Sequence, residues 1–179
     1  MADHDLAAPD LAYRSAVDVL ASFRSGALSP VDYLEALIER IEELEPTINA
    51  VAERRYDEAR EEAKASAARY AAGTARPLEG LPVAAKEEHP MEGRSWTQGS
   101  LSLADEVAPY DHPIIERIQA AGGIIHIRTT TPEFCCAGFC HSRQWGITRN
   151  PWNTDFSPGG SSGGSGAALA AGYAPLATG

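Results

Sequence analysis

Residues 159–166 carry five glycines and three serines and run directly into the alanine-rich stretch 167–171. Glycine at that density lets a backbone approach another group closely, and the alanines that follow favour helix. The pattern predicts a turn feeding a helix N-terminus, an end with free N–H donors and partial positive charge. The neighbouring hydroxyls of Ser161 and Ser162 stand at that end, placed for chemistry. Three templates for such a run fail on the residues. A phosphate-binding loop needs a lysine where Ser165 stands, and the dinucleotide fingerprint needs a glycine where Leu169 stands. The nucleophile elbow Gly-x-Ser-x-Gly is matched twice, at 159–163 and 160–164. Its acid and histidine must follow the serine, however, and no Asp, Glu or His occurs from Gly163 to Gly179. The esterase chemistry of that elbow is therefore the weakest reading.

A second cluster, Cys135, Cys136 and Cys140 followed by His141, could in principle close a tetrahedral metal shell. The spacing fits no common zinc motif and adjacent cysteines rarely ligate one ion, so no metal is expected. A disulfide is not expected in a chain without an export signal. Cys135 and Cys136 are expected to pack near the site, and nothing positions a base for a thiol nucleophile.

Several segments lie in one order along the chain: Leu81-Pro82-Val83-Ala84-Ala85-Lys86, Thr97-Gln98-Gly99-Ser100, Thr131-Pro132-Glu133-Phe134, Gly146-Ile147-Thr148-Arg149-Asn150-Pro151-Trp152, and the Gly-Gly-Ser-Ser-Gly-Gly-Ser turn at 159–165. In type and order they resemble the amidase signature family, as do the helical regions around Ser25–Pro30 and Glu45–Ala50. The resemblance implies carboxamide hydrolysis by a Ser-Ser-Lys triad without metal or organic cofactor. It implies Lys86 as the base and Ser162 as the serine bridging base and nucleophile. Ser161, Gly160 and Gly159 are implied as substrate-binding. The attacking serine belongs to a further Gly-Gly-Ser turn downstream, and residues 166–179 contain none. The chain alone is thus expected to be inactive, carrying two members of a triad.

The residue types suit that chemistry. An amide needs a nucleophile whose base later returns a proton to the departing amine. A lysine serves only as the neutral amine, which burial favours, and residues 81–85 supply an apolar run before Lys86. One departure stands beside it: the family's usual Lys-Asp-Asn is Lys86-Glu87-Glu88 here. In extended geometry Glu88 shares a face with Lys86, and its carboxylate would favour the charged amine. The expectation is that the strand ends at Lys86 and both glutamates face solvent, since unpaired glutamate is rarely buried.

At 179 residues the chain can build a single domain with a substantial core. A net charge of −10 argues against a nucleic-acid partner, which needs a basic face. No stretch has the length and apolarity of a membrane span, and the acidic start Met1–Asp5 lacks a secretory n-region. A cytoplasmic protein is expected.

The predicted architecture is α/β, an incomplete amidase signature fold with helices over 1–75 and α/β structure over 76–179. Apolar spacing predicts helices at 11–24, from Ser29-Pro30 to Pro46, and at 55–71. Leu81–Ala85 and Ile124–Ile127 read as buried strands around a helix bearing Ile114, Ile115 and Ile118, closed by Gly122-Gly123. That succession implies parallel pairing. The segment 173–178 resembles a further strand. The polar, aromatic loop 141–158 either borders the site or covers a core edge. A sheet ending there would leave an open edge, for which a second copy or a complementing chain is the expected cover. A non-catalytic assembly module is therefore the alternative to an amidase acting on a small amide.

Overall fold

The computed structural model describes residues 11–179; the acidic start Met1–Asp5 lies outside the described residues. Helix α1, Ala16–Ser25, starts later than its apolar spacing suggests because the Ser15 hydroxyl accepts from the Asp18 N–H and so fixes the N-terminus. It buries Val19, Leu20 and Phe23 with Leu11, and turns Val17 outward. Helix α2, Pro30–Ile48, begins at a Ser29 cap with proline in its first turn. It runs past Pro46 to the left-handed Asn49: that proline lies in the last turn and removes only one N–H from the ladder.

The buried Glu45 carboxylate accepts from the N–H groups of Ala50 and Val51 at 3.1 and 2.6 Å. It thereby steers the chain out of α2 into a strand, β1, Val51–Arg54. This strand corrects the all-helical expectation for 1–75. Helix α3 follows at Tyr56–Ala71, as its spacing indicates.

Strand β2, Pro82–Lys86, is fully buried, helix α4 spans Pro113–Ala120, and strand β3, Ile124–Thr129, lies parallel to β2. A two-residue ladder, β4 (His141–Ser142) and β5 (Gly146–Ile147), sits within the long loop. Helix α5, Gly163–Ala171, precedes β6, Leu176–Ala177, which pairs parallel with β2. The sheet order is β1-β3-β2-β6, mixed because β1 runs antiparallel to β3. Its Ala84 and Ile127 pack with Ile41 and Ile48 of α2 and with Ala167, Ala168 and Ala171 of α5. Ala85 and Ile125 pack with Met91 and Ile115. Each layer buries one stripe of its helix, the ordinary solution for an amphipathic element. Among the described residues no helix is long and apolar enough to cross a membrane.

One buried carboxylate ties α3 to the entry of β2. Glu79, inaccessible to solvent, accepts from Ser66 Oγ at 2.7 Å and Arg76 Nε at 2.6 Å. Burial alone would raise its pKa, but those hydrogen bonds and the Arg76 charge outweigh it and hold the group at about 2. A carboxyl lowered on folding from 4.5 adds stability above that value and loses it as pH falls toward 2. Glu79→Gln is expected to cost about 3 kcal/mol at pH 7 and much less near pH 2. Urea unfolding across that range measures it.

Candidate active site

Two elements bring the site together. β2 ends on Lys86, whose side chain is buried, and the glycine-serine turn crosses that end before entering α5. Glycines are required there by contact. A Cβ on Gly164 would stand 2.4 Å from the Thr130 carbonyl oxygen, and one on Gly160 would stand 2.5 Å from that of Phe139. The turn therefore lies backbone to backbone against the end of β3 and the 137–140 loop. Beneath it Thr129 and Ser165 share a hydroxyl hydrogen bond of 2.7 Å, and Thr130 and Thr148 one of 2.6 Å.

Lys86 Nζ donates to Ser161 Oγ at 2.9 Å. The first serine of the pair, rather than the second, is the hydroxyl in contact with the lysine. The turn delivers Ser161 over β2, whereas Ser162 is the residue from which α5 starts; its own side chain makes no capping bond. Ser162 Oγ points instead toward the chain beyond β6, where a Cβ on Gly179 would meet it at 3.0 Å. Ser161 is further held by Thr131 Oγ1, which donates to its carbonyl at 3.4 Å. Thr178 Oγ1 accepts from the Lys86 N–H at 2.9 Å and so ties the end of β6 to the same point.

The two glutamates correct the expectation that both face solvent. The strand does end at Lys86, yet Glu87 folds inward and its Oε1 accepts from the Thr97 N–H and hydroxyl. Burial raises the Glu87 carboxyl, with those bonds and the Arg128 charge opposing. Glu88 folds back so that its Oε2 lies 2.8 Å from Lys86 Nζ. Burial would raise Glu88, but the hydrogen bond and charge of Lys86 outweigh it and hold the carboxyl below its ordinary value.

Arg128 on β3 is wholly buried and holds this turn. Its Nη2 donates to the Glu87 carbonyl at 2.6 Å and the His89 carbonyl at 3.2 Å, while its Nη1 pairs with Glu53 on β1. Residue type alone does not single out Arg128, yet a charged side chain inside the fully buried run Ile124–Thr129 demands buried partners. Thr131 heads one of the ordered motifs, whereas Thr178 is indistinguishable by type from any other threonine.

Cys135 lies beside the pair, its sulfur 2.9 Å from Thr131 Oγ1. Burial pushes its thiol up to about 11 despite the hydroxyl and the Lys86 charge, so it stays protonated at neutral pH and is a poor nucleophile. Cys136 is exposed, and Cys140 is buried against Thr130 beneath the turn. Among the described residues no three His, Cys, Asp or Glu side chains form a group that could hold a metal. In the 141–158 loop Trp152 is 87% exposed and Phe156 65%, whereas Trp145 is half-buried.

The family model described as Amidase matches residues 32–179. An indoleacetamide hydrolase from Bradyrhizobium diazoefficiens is 40% identical over 169 residues, covering 92% of this chain and 32% of that protein. One component of a glutamyl-tRNA(Gln) amidotransferase from Azoarcus sp. is 43% identical over 152 residues, covering 85% of this chain and 31% of its own. Among solved structures, a bacterial aryl acylamidase of the amidase signature family superposes with a TM-score of 0.85 at 32% identity. That match covers 90% of this chain and 34% of the acylamidase. The chain thus spans about a third of the length of these relatives. With the family model matching well over half of its residues, the chain belongs to the amidase signature family.

Proposed function

We propose that these residues supply the lysine and relay half of a site that cleaves the C–N bond of a carboxamide. The observation that carries the reading is the 2.9 Å hydrogen bond between Lys86 Nζ and Ser161 Oγ at the buried end of β2. Lys86 is the base and Ser161 the bridging hydroxyl, the role the family resemblance gave to Ser162. A neutral Lys86 accepts the Ser161 proton while Ser161 takes the proton of an attacking serine, so two short transfers replace one long one. The same path runs backward to protonate the leaving amine. The reading assigns the attack to a serine of a further Gly-Gly-Ser turn, which residues 166–179 do not contain. Gly159 and Gly160 line the substrate side of the turn, and the N-terminus of α5 adds polarity favourable to developing negative charge.

The substrate is a small amide. The relatives' names divide between hydrolases of amides and one part of an amidotransferase, and both fit a site that acts on a carboxamide. The test is ammonia release from a panel of aliphatic and aromatic primary carboxamides by the polypeptide encoded by the full reading frame. Release from any member supports the reading. A stable, folded protein that releases none, while cleaving the matching esters, overturns it.

A further inference from the structure

The turn after Lys86 is built more firmly than a strand end needs. Three successive carbonyls each accept from a side chain: those of Glu87 and His89 from Arg128 Nη2, and that of Glu88 from Trp96 Nε1 at 2.8 Å. The backbone on both sides of Glu88 is thereby fixed. Its side chain, 40% exposed, returns over Lys86, whose side chain is only 4% exposed. Lys86 Nζ is left with two partners at hydrogen-bond distance, Glu88 Oε2 at 2.8 Å and Ser161 Oγ at 2.9 Å.

The other ionisable neighbours do not take over this role. Cys135 faces the pair from the 133–135 turn as a neutral thiol, its pKa pushed up to about 11 by burial. His89, in the same turn, has its pKa lowered by burial, then by the adjacent His112, whose ring it stacks against at 4.7 Å. Arg128 reaches the turn from β3 through its carbonyls and pairs with Glu53.

We propose that Glu88 is a positioning residue that decides when Lys86 can serve as a base. Its carboxylate anchors Nζ against Ser161, and an anion at that distance favours an ammonium over a neutral amine. An ammonium cannot accept the Ser161 proton, so the pair must first give up one proton to solvent at the exposed side of Glu88. Hydrolysis is then suppressed on the acid side by this ion pair, a restraint that a neutral residue at position 88 would lack. The inference rests on the assignment of Lys86 as base, and its test has a readout that needs no catalysis.

Lysines occur only at positions 64 and 86, so exposed Lys64 is an internal reference for acetylation by acetic anhydride, followed by peptide mass spectrometry in the full 179-residue chain. Glu88→Gln, nearly the same size, is expected to raise the Lys86:Lys64 rate ratio about fivefold near pH 8. Near pH 11 the gain should disappear. Glu88→Asp, which keeps the charge, should stay close to the parent chain. An unchanged ratio near pH 8 overturns the proposal. So does a gain that persists near pH 11, because that reports access rather than proton control. In the full-length polypeptide Glu88→Gln should raise the ratio of kcat/KM at neutral pH to that in alkali, and a constant ratio counts against the proposal. Absence of any hydrolysis sinks the proposed function alone, since the acetylation readout stands without it.

Discussion

Ser161→Ala is expected to lower kcat for amide hydrolysis about 1000-fold in the full-length polypeptide, and Lys86→Met at least as much. Ser162→Ala should stay within about tenfold, because its hydroxyl does not contact the lysine. The ordering follows from geometry. Removing the Ser161 hydroxyl leaves Lys86 Nζ with only Glu88 and breaks the path by which a proton reaches the base. Removing the amine leaves Ser161 with no acceptor for the proton it passes on. Acting as one unit, the two should be strongly non-additive, so the double variant should be hardly worse than either single one. Steady-state kinetics on one primary carboxamide decides this. A Ser162→Ala enzyme as damaged as Ser161→Ala would return the relay to the second serine.

The largest effect on folding is expected at Arg128. Arg128→Met, similar in length, removes a wholly buried guanidinium and leaves the carbonyls of Glu87, Ser95 and His89 without that donor, with Glu53 also losing a partner. Removing one side of a buried ion pair costs about 3–5 kcal/mol, more than the burial of a methionine returns. Much of a domain's stability is of that size. Urea unfolding of the chain should show the midpoint falling sharply, or no cooperative transition at all. A loss below about 1 kcal/mol would mean that water or a neighbouring donor satisfies those carbonyls.

The fold was legible where burial follows from pattern. The Leu34, Leu37, Ile38 and Ile41 stripe, the apolar runs of β2 and β3, and their parallel pairing with a helical crossover all appear as the spacing implies. What escaped was tertiary in origin. β1 has only four residues, and its place at the sheet edge depends on Glu45 redirecting the chain, a long-range use of a carboxylate that looks like any surface glutamate on its helix. Motif order singles out Lys86 and the serine pair, and Lys86 meets Ser161 in the structure. Which of two adjacent serines faces the lysine depends on the path of the turn, set by Gly160 and Gly164 against neighbouring carbonyls, and residue type alone cannot choose. Glu88 was misjudged for a related reason. Burial statistics for glutamate describe unpaired groups, and its partner lay two residues back along the same chain.

The tight seat of the glycine turn on Thr130 has a consequence for how this protein can vary. Gly160 and Gly164 seat the turn directly on main-chain carbonyls, and the Thr178 hydroxyl holds the Lys86 N–H. Repacking around Val19, Leu20 and Phe23 of α1, away from that seat, can therefore weaken the scaffold without retuning the proton path. Heat tolerance and turnover should drift independently among its descendants, until a change reaches the turn itself.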